Sequence, residues 1–491
     1  MPDFLDHPPL GRNPKVLLLY PPMQSDPGVL PKPNGSLAYP CLAAALLEHG
    51  IETRIFDACV GNERDQLEEV FYRSTPLPNG LARTGVSDAR ILEEAADADI
   101  IGLTSIFSAQ ESITLATARL LKTAFPDKLL VAGGVNARCR RNKFLDAGVD
   151  IVCLSEAEAT LCAIANARAG RASWADLHGV AYRRNGETVV RPTRAEDVVQ
   201  NLDRLPIPAW HLLPNQAYWT IARPHGRLPK GQRARYASMM TSLGCVFSCA
   251  FCHIAGETAA DVCNDIRRFR IKSDTRVLQE LDTLKRLGVE QVYLEDDSFF
   301  GRKSRALRIV RQIRAEGVDI LDVNGVNVAH LLIHGEPDLD LLDALQEARF
   351  KELTLPFESG SQRILKTYAS NKWRIQGSNI TGLIRECLAR GIAVTGNYMI
   401  GFPDETREEI QATIAMAKQH MDAGLEVANF HIVLPLPGTP LYDFAVREGY
   451  LPADFDMDRM SWRKANMVRT AVPPAELEEI RNRAWEECNR Q

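Results

Sequence analysis

Two successive series of apolar segments alternating with helical patterns restrict the fold of this 491-residue chain more than any other feature. The first series contains five continuous apolar runs, separated by amphipathic stretches such as SAQESITLATARLLKTAF; these runs are KVLLLYPP, TRIFDA, ADIIGLTS, KLLVAGG and VDIVCLS. Continuous runs are typical of parallel strands that are buried on both faces. The first series therefore predicts an α/β domain built on a doubly wound parallel sheet.

The second series begins near Tyr236 and has six apolar runs, again joined by helical patterns; these runs are ASMMTSLG, QVYLEDD, ILDVNGVN, ELTLPFES, VTGNYMIGF and NFHIVLPL. Six βα units predict a partial (β/α)6 barrel of the TIM type, in which chemistry takes place at the C-terminal ends of the strands. Residues 178–192 predict a hairpin that turns at Asn185-Gly186. The predicted organisation is an α/β domain at 12–200, a linker at 201–235, a barrel at 236–450 and a short C-terminal helical extension at 451–491.

Charge and hydropathy exclude several classes of partner. The chain has 58 basic and 63 acidic residues, a formal net charge of -5, which offers no electrostatic basis for binding nucleic acid or an anionic membrane. The first residues lack the pattern of a signal peptide, and no stretch approaches the roughly 18 apolar residues of a membrane span. We therefore expect a cytoplasmic protein, in which the eleven cysteines are thiols or metal ligands.

Three of these cysteines form a cluster. Cys245, Cys249 and Cys252 make a CxxxCxxC motif directly after the first strand of the second series. Three thiolates at this spacing can bind three irons of a [4Fe–4S] cluster and leave the fourth iron without a protein ligand. The spacing alone also permits a structural zinc site in which His253 or Cys263 is the fourth ligand. The barrel context favours the iron–sulfur cluster.

This motif, placed after the first strand of a βα barrel and with Phe251 before its last cysteine, resembles the radical S-adenosylmethionine (SAM) superfamily. The resemblance covers about residues 236–450, and it extends to segments at the ends of the second, fourth, fifth and sixth barrel strands. It implies that the cysteines hold a [4Fe–4S] cluster and that SAM is contacted by Phe251, Glu295, Asp296, Asp297, Glu358, Ser359, Met399, Gly401 and Leu434. In the fifth segment the match to the motif GxIxGxxE is partial, because Asn397 replaces the first glycine and Asp404 stands in the place of the glutamate.

The loops after the strands of the first series resemble the cobalamin-binding domain that accompanies many radical SAM enzymes, and Leu205-Pro206-Ile207-Pro208 is similar to that family's linker. The resemblance implies cobalamin contacts by Pro22, Gln24, Ser105, Ile106, Phe107, Gly133, Gly134, Val135 and Glu156. The DxHxxG motif that supplies a histidine to cobalt is absent from the first loop. The resemblance therefore implies a "His-off" cobalamin. A domain that binds nothing, or only scaffolds the substrate, is the alternative.

Together the two domains resemble cobalamin-dependent radical SAM enzymes. The resemblance implies an enzyme in which the reduced cluster cleaves SAM to a deoxyadenosyl radical. It also implies that a second SAM methylates the cobalamin. Methylcobalamin then supplies the methyl group to an unactivated carbon or phosphorus of a small-molecule biosynthetic intermediate. An electron donor such as flavodoxin or ferredoxin is expected as a partner. Oxidative cyclisation or ring rearrangement is the main alternative, and a non-catalytic cobalamin or redox sensor is the third.

The sequence assigns no catalytic residue. Five residues near the ends of barrel strands are candidates for contacting the substrate; they are Asn327, His330, His334, Tyr398 and His431. A lone histidine at such a place is more often a satisfied surface or core residue, so these remain hypotheses.

Overall fold

The computed structural model describes residues 7–33, 36–223, 235–452 and 455–490. It divides into two compact units, one formed by Met1–Pro224 with Glu257–Ile266 and the other by His225–Gly256 with Arg267–Gln491. Of the predicted linker, residues 201–223 belong to the first unit, whereas residues 224–234 lie outside the described residues. Positions 453, 454 and 491 of the predicted C-terminal extension also lie outside them.

The first unit contains ten strands and eight helices among its described residues. The strands are β1 (Val16–Tyr20), β2 (Met23–Ser25), β3 (Thr53–Asp57), β4 (Thr75–Pro76), β5 (Ala82–Thr84), β6 (Ile100–Thr104), β7 (Leu129–Gly133), β8 (Ile151–Cys153), β9 (Val180–Arg184) and β10 (Glu187–Arg191). The helices are α1 (Ala38–Glu48), α2 (Leu67–Val70), α3 (Asp88–Ala95), α4 (Glu111–Ala124), α5 (Val135–Cys139), α6 (Arg141–Asp146), α7 (Glu158–Ala169) and α8 (Asn215–Ile221).

A seven-stranded sheet forms the centre of this unit, in the order β10-β9-β8-β7-β6-β1-β3. The five strands from β8 to β3 run parallel, which confirms the predicted doubly wound sheet, and the predicted hairpin adds β9 and β10 antiparallel at one edge. Successive side chains of β1 enter opposite cores, with Leu18 on one face and Leu17 and Leu19 on the other. This two-sided burial explains why the strand reads as a continuous apolar run.

The segment Glu257–Ile266 lies between two parts of the barrel in the sequence but belongs to the first unit. The Thr193 amide donates to the Val262 carbonyl at 2.8 Å, and Arg138 forms a 2.5 Å ion pair with Glu257. The sequence pattern predicts this segment as part of the barrel at 236–450. These contacts join residues far apart in the chain, so no local pattern could have revealed them.

The second unit also has ten strands and eight helices in its described part. The strands are β11 (Tyr236–Met239), β12 (Ser242–Leu243), β13 (Arg270–Ile271), β14 (Gln291–Leu294), β15 (Asp319–Val323), β16 (Leu332–Ile333), β17 (Glu336–Pro337), β18 (Glu352–Glu358), β19 (Ala393–Ile400) and β20 (Val427–Ile432). The helices are α9 (Asp274–Arg286), α10 (Lys303–Ala315), α11 (Leu339–Glu347), α12 (Gln362–Tyr368), α13 (Ile380–Ala389), α14 (Arg407–Asp422), α15 (Pro440–Arg447) and α16 (Pro474–Asn489). Across the described ranges of both units, no helix has the length and apolar character needed to cross a membrane.

The six predicted barrel strands are present as two parallel sheets, β11-β14-β15 and β18-β19-β20. After β15 the chain continues towards the second sheet, where the Val326 amide donates to the Thr354 carbonyl at 2.9 Å. Helices follow the strands in the βα pattern. This arrangement confirms the partial (β/α)6 barrel and places the loops that carry the candidate residues at the C-terminal ends of its strands.

The outer edge of β20 is covered by side chains of the C-terminal helix α16. The Asn489 side-chain amide pairs with both the amide and the carbonyl of Ala428, at 3.0 and 2.9 Å, and Arg481 Nε donates to the Phe430 carbonyl at 2.8 Å. Unpaired backbone groups at a strand edge favour association with other chains unless they are satisfied. The C-terminal extension therefore protects the edge of the barrel.

Candidate active site

The loop that carries the three cysteines follows β12, next to the end of β14. Its first residue, Gly244, has a φ of +81°, and a Cβ at this position would lie 2.3 Å from the Arg267 carbonyl oxygen. The Gly244 amide donates to the Asp297 carboxylate at 3.0 Å. Only glycine accommodates this close approach and this backbone conformation. The turn therefore fixes where the cysteine loop begins.

All three cysteines are half-buried, and all eleven cysteines of the chain are free of disulfide bonds. Burial raises the pKa of Cys249 to about 11 and that of Cys252 to about 12, and it also raises the pKa of Cys245. The positive charge of Lys372 opposes the rise at Cys245 and Cys249. Binding of iron must therefore displace a proton from each thiol, as is general for thiolate ligands.

The donor set fits an iron–sulfur cluster. Among the described residues, no three His, Cys, Asp or Glu side chains are arranged to hold one metal ion. A [4Fe–4S] cluster does not need such convergence, because each cysteine binds a different iron. The Phe247 amide donates to Cys245 Sγ at 3.5 Å, an interaction of the kind that tunes cluster sulfurs. Cys263, the fourth ligand of the zinc alternative, is fully buried and belongs to the first compact unit.

The fourth barrel strand, β18, ends in a residue with strained backbone. Glu358 has a φ of +64°, which is rare for a residue with a side chain, and it is only 5% exposed. Its Oε1 accepts a 2.8 Å hydrogen bond from Lys372 Nζ. Burial is the largest single influence and lowers the pKa of Lys372, but Glu358, Cys249 and Cys245 together raise it by more, so the net pKa is raised. No sequence pattern distinguishes Lys372, which lies in an ordinary polar segment.

Next to Glu358, the Ser359 side chain turns towards α14. Its hydroxyl is completely buried and lies 3.3 Å from Thr413 Oγ1, which also accepts a 2.9 Å hydrogen bond from the Gly360 amide. A contact from Ser359 to SAM would therefore involve its backbone.

The three predicted carboxylates after β14 have different environments. Asp296 is buried, and its oxygens accept hydrogen bonds of 2.5–3.0 Å from Thr241 and Ser242, so it braces the segment that leads to the cysteines. Asp297 holds the start of the same loop. Glu295 is half-buried, and one of its oxygens accepts from Ser238 Oγ at 2.6 Å. Burial raises the pKa of Glu295. Its second oxygen has no partner in the described part of the chain, so Glu295 is the carboxylate that remains available to a ligand.

The end of the fifth strand packs against the cysteine loop. Phe251 lies with its ring centroid 6.0 Å from that of Phe402, and both belong to an apolar cluster with Met399. Leu434 is buried after β20. At Gly401, with a φ of +85°, a Cβ would lie 2.5 Å from Leu477 Cδ2. The structure thus brings together the predicted residues of the cysteine loop and of the fifth strand.

The glutamate of the partial GxIxGxxE motif is displaced by one residue from its expected position. Asp404, the expected residue, lies at the surface and pairs with Arg363 at 2.6 Å. Glu405 is buried instead, and its Oε2 accepts hydrogen bonds from the amides of Gly401 and Phe402 at 2.6 and 3.2 Å. Burial raises the pKa of Glu405 to about 8. The turn after β19 directs the second of two adjacent acidic residues inwards, so Glu405, and not Asp404, is the buried carboxylate of this segment.

Side chains of β19 and β20 alternate between the barrel interior and the surrounding helices. Asn429 Nδ2 donates to Asn397 Oδ1 at 3.2 Å, and His431 is half-buried on the same face of β20. Tyr398 points the other way, because its hydroxyl lies 2.8 Å from His420 Nδ1 on α14 and its ring is completely buried. The hypothesis that Tyr398 contacts the substrate is therefore wrong, whereas His431 remains a candidate.

Two further candidates follow β15. His330 lies with its ring centroid 5.9 Å from that of Phe247 on the cysteine loop, and its Nε2 is buried without a hydrogen-bond partner. Asn327 Nδ2 is likewise buried and unpaired, while Asn327 Oδ1 accepts from the Ala329 amide. His334 is exposed on the turn between β16 and β17 and has no comparable environment.

In the first unit, two predicted glycines follow β7 and have opposite surroundings. At Gly134, with a φ of +96°, a Cβ would lie 2.4 Å from the Ser105 carbonyl oxygen. At Gly133 no atom lies within 4 Å of such a Cβ. Asn136 Nδ2 donates to Ser105 Oγ at 2.9 Å, and Asn136 Oδ1 is buried without a partner. Asn136 was not among the predicted contacts, although it lies in the same loop.

The remaining predicted cobalamin contacts differ in accessibility. Phe107 is 64% exposed, and Ile106, Val135 and Glu156 are half-buried. Pro22 is buried. An open surface above Gly133, an exposed aromatic ring and the unpaired Asn136 oxygen suit a large ligand with amide substituents, such as cobalamin.

Gln24 is already engaged within the protein. Its Nε2 donates to the Ala109 carbonyl at 2.7 Å, and its Oε1 accepts from Ser112 Oγ at 3.1 Å and from Asn79 Nδ2 at 3.3 Å. The side chain therefore joins β2 to the start of α4. Its role as a cobalamin contact stays a prediction.

The chain is similar to known proteins. Residues 239–417 match the model of the Radical SAM superfamily. The chain is 26% identical to cytidylyl-2-hydroxyethylphosphonate methyltransferase of Streptomyces wedmorensis over 498 residues, which cover 94% of this chain and 88% of that protein. It is 28% identical to an uncharacterized methyltransferase of Pyrococcus horikoshii over 385 residues, covering 78% and 75% of the two chains.

The fold is shared with a solved structure. The radical SAM methyltransferase TsrM of Kitasatospora setae, solved with cobalamin and a [4Fe–4S] cluster, superposes with a TM-score of 0.64 over 90% of this chain and 80% of that chain. The two sequences are 18% identical, so the similarity is one of fold.

Proposed function

We propose that this chain, which is similar to cobalamin-dependent radical SAM enzymes, is a methyltransferase that moves a methyl group from SAM, by way of cobalamin, to an unactivated carbon or phosphorus of a small-molecule biosynthetic intermediate. The observation that carries the proposal is the similarity to a methyltransferase over 94% of this chain, which includes both compact units. A barrel similarity alone would leave the reaction open.

In this proposal Cys245, Cys249 and Cys252 hold the [4Fe–4S] cluster. When bound, the cluster and SAM supply a carbon-centred radical and cobalamin supplies the methyl group. The available oxygen of Glu295 receives the amino group of SAM, because an ammonium group favours a partly buried carboxylate. The apolar contact between Phe251 and Phe402 keeps water from the space beside the cysteine loop.

The first unit binds cobalamin in this proposal, over the open surface at Gly133. Asn136 Oδ1 accepts a hydrogen bond from an amide of the ligand, since a buried oxygen without a partner is unfavourable. An electron donor of the flavodoxin or ferredoxin type reduces the cluster. We further propose a cytoplasmic location and no nucleic-acid partner, in keeping with the net charge of -5.

The products of SAM test the reaction class. The protein is purified without oxygen, reconstituted with cluster and cobalamin, and given SAM and a strong chemical reductant, after which the nucleoside products are measured by mass spectrometry. Methyl transfer predicts S-adenosylhomocysteine together with deoxyadenosine. Deoxyadenosine without any S-adenosylhomocysteine would reject methyl transfer and indicate cyclisation or rearrangement instead.

A further inference from the structure

A polar group without a partner lies at the end of the last barrel strand. His431 is on the interior face of β20, in register with Met399 of β19, and its Nδ1 is buried without a hydrogen-bond partner. The centroid of the His431 ring lies 5.6 Å from that of Trp462, with an angle of 67° between the two ring planes. The Ile432 amide donates to the Trp462 carbonyl at 2.8 Å and thereby fixes the C-terminal segment against this strand.

Two arginines of the same C-terminal segment lack acidic partners. Arg481 is only 8% exposed; its Nε and Nη1 are hydrogen-bonded, but its Nη2 has no partner among the described residues. The exposed Arg463 side chain forms no hydrogen bond or ion pair within the described part of the protein. Glu478, a nearby carboxylate on α16, instead accepts the Ala465 amide at 3.0 Å. No ion pair therefore neutralises either arginine.

Contacts with β20 place the three groups at the same end of this strand. Arg481 donates to the Phe430 carbonyl, and Trp462, which precedes Arg463 in the chain, lies against His431. Burial lowers the pKa of His431 most, and the positive charges of Arg481 and Arg463 lower it further, to about 4. Burial lowers the pKa of Arg481, and Arg463 lowers it further. A buried guanidinium without a counter-charge is costly unless a ligand compensates it. The end of β20 is thus a concentrated positive site at the barrel end where substrates bind.

We propose that Arg463, Arg481 and His431 form an oxyanion subsite, and that the methyl acceptor carries a phosphate or phosphonate group which binds there. The inference rests on the proposed function and specifies the substrate class of the same barrel. Guanidinium groups suit oxyanions because they present several donors in a fixed plane. Three donor side chains match the three outer oxygens of a phosphoryl group better than the two oxygens of a carboxylate.

The test measures binding and does not require turnover. Inorganic phosphate is titrated into the anaerobically reconstituted holoenzyme by calorimetry, with and without saturating SAM, and acetate is titrated in parallel. We expect phosphate to bind under both conditions and acetate to bind at least about tenfold more weakly. Arg463→Gln and Arg481→Gln should each weaken phosphate binding by about tenfold or more. Arg483→Gln, an exposed position on the same helix, should leave it unchanged.

Since Arg481 also holds the Phe430 carbonyl, Arg481→Gln could fail to fold. Arg463→Gln removes no hydrogen bond and keeps the test decisive. Unchanged phosphate binding in Arg463→Gln, or no binding by the wild type, would overturn the proposal. Displacement of phosphate by SAM would also overturn the proposal, because Arg463, Arg481 and His431 would then belong to the SAM site. Equal binding of acetate would overturn the assignment of a phosphoryl group.

Binding of an acidic electron-donor protein at this positive site would give a different result from binding of a phosphoryl group. If the positive site serves an acidic electron-donor protein, Arg463→Gln would slow reduction by flavodoxin while phosphate binding stays the same, and the subsite would be rejected. If the wild-type protein binds phosphate at this site but forms no S-adenosylhomocysteine, only the proposed methyl transfer would be rejected. The two proposals therefore fail separately.

Discussion

Lys372 Nζ lies 2.8 Å from Glu358 Oε1, and both side chains are almost completely withdrawn from solvent beside the cysteine loop. The pair holds Glu358 at the strained end of β18, and the charge of Lys372 acts on Cys245 and Cys249. A buried cation next to thiolate ligands compensates part of the negative charge that a cluster brings.

Lys372→Met should destabilise the second unit, because it leaves the carboxylate of Glu358 buried without a partner. The expected loss in the free energy of unfolding is about 3–5 kcal/mol, measured by urea unfolding of the apo-protein. Lys366→Met, an exposed position on α12, should change it by less than about 0.5 kcal/mol. The double variant Lys372→Met/Glu358→Gln should recover part of the loss. A single variant as stable as the wild type would contradict the role of the pair.

Alanine at Cys245, Cys249 or Cys252 should each abolish the cluster and deoxyadenosine formation, because each thiolate binds a different iron. Iron content and deoxyadenosine yield are measured after identical anaerobic reconstitution. Cys263→Ala is the matched control and should retain both. Iron loss in Cys263→Ala with a folded protein would instead favour a four-cysteine site, and deoxyadenosine from any of the first three variants would reject the ligand assignment.

Gly133→Val should weaken cobalamin binding without unfolding the first unit. The position has open space in the protein, so a side chain there would occupy the volume assigned to the corrin. Gly134→Ala provides the contrast, since its Cβ would meet the Ser105 carbonyl at 2.4 Å and should destabilise the apo-protein itself. Cobalamin retention and apo-protein melting are compared for both variants. Full cobalamin affinity in Gly133→Val would place the cofactor elsewhere.

The stability of the second unit should fall in alkali because of Glu405. Burial raises the pKa of Glu405 to about 8, above the 4.5 of an ordinary glutamate. The folded protein therefore holds this proton more tightly than the unfolded chain, so the stabilisation is full below pH 4.5 and is lost as the pH rises through about 8. Between about pH 6.5 and about pH 8.5, the contribution of this group to the free energy of unfolding should fall by about 2 kcal/mol.

Glu405→Gln supplies the control for this pH effect, because a neutral amide can accept from the Gly401 and Phe402 amides at every pH. The variant should lose most of the alkaline decrease seen in the wild type by urea unfolding. Parallel pH profiles for the two proteins would show that Glu405 is already ionised at neutral pH.

The strands were predictable from the sequence because both units are built on buried parallel strands, which give continuous apolar runs. Continuous apolar runs identified the five parallel strands of the first sheet and all six barrel strands, and the cysteine spacing predicts the loop that would hold the cluster. Such patterns are local, and they report burial on both faces of a sheet. The same patterns located the C-terminal ends of the strands, where Glu295, Glu358 and Gly133 lie.

Features that depend on tertiary contacts could not be predicted. Lys372 reads as a surface lysine in a polar segment, and only its contact with Glu358 reveals its burial. Asp404 and Glu405 are adjacent acidic residues, and the turn after β19 decides which one faces inwards. The closure of β20 by Asn489 and Arg481 uses side chains of a helix whose sequence shows only that it is charged.

A labelled methyl group shows whether SAM methylates the corrin. The reconstituted protein is given SAM with a deuterated methyl group and a strong reductant, and the extracted corrin is analysed by mass spectrometry. We expect methylcobalamin that carries the deuterated methyl group, together with S-adenosylhomocysteine. A corrin that stays unmethylated while deoxyadenosine accumulates would contradict it and would assign the enzyme to cyclisation or rearrangement chemistry.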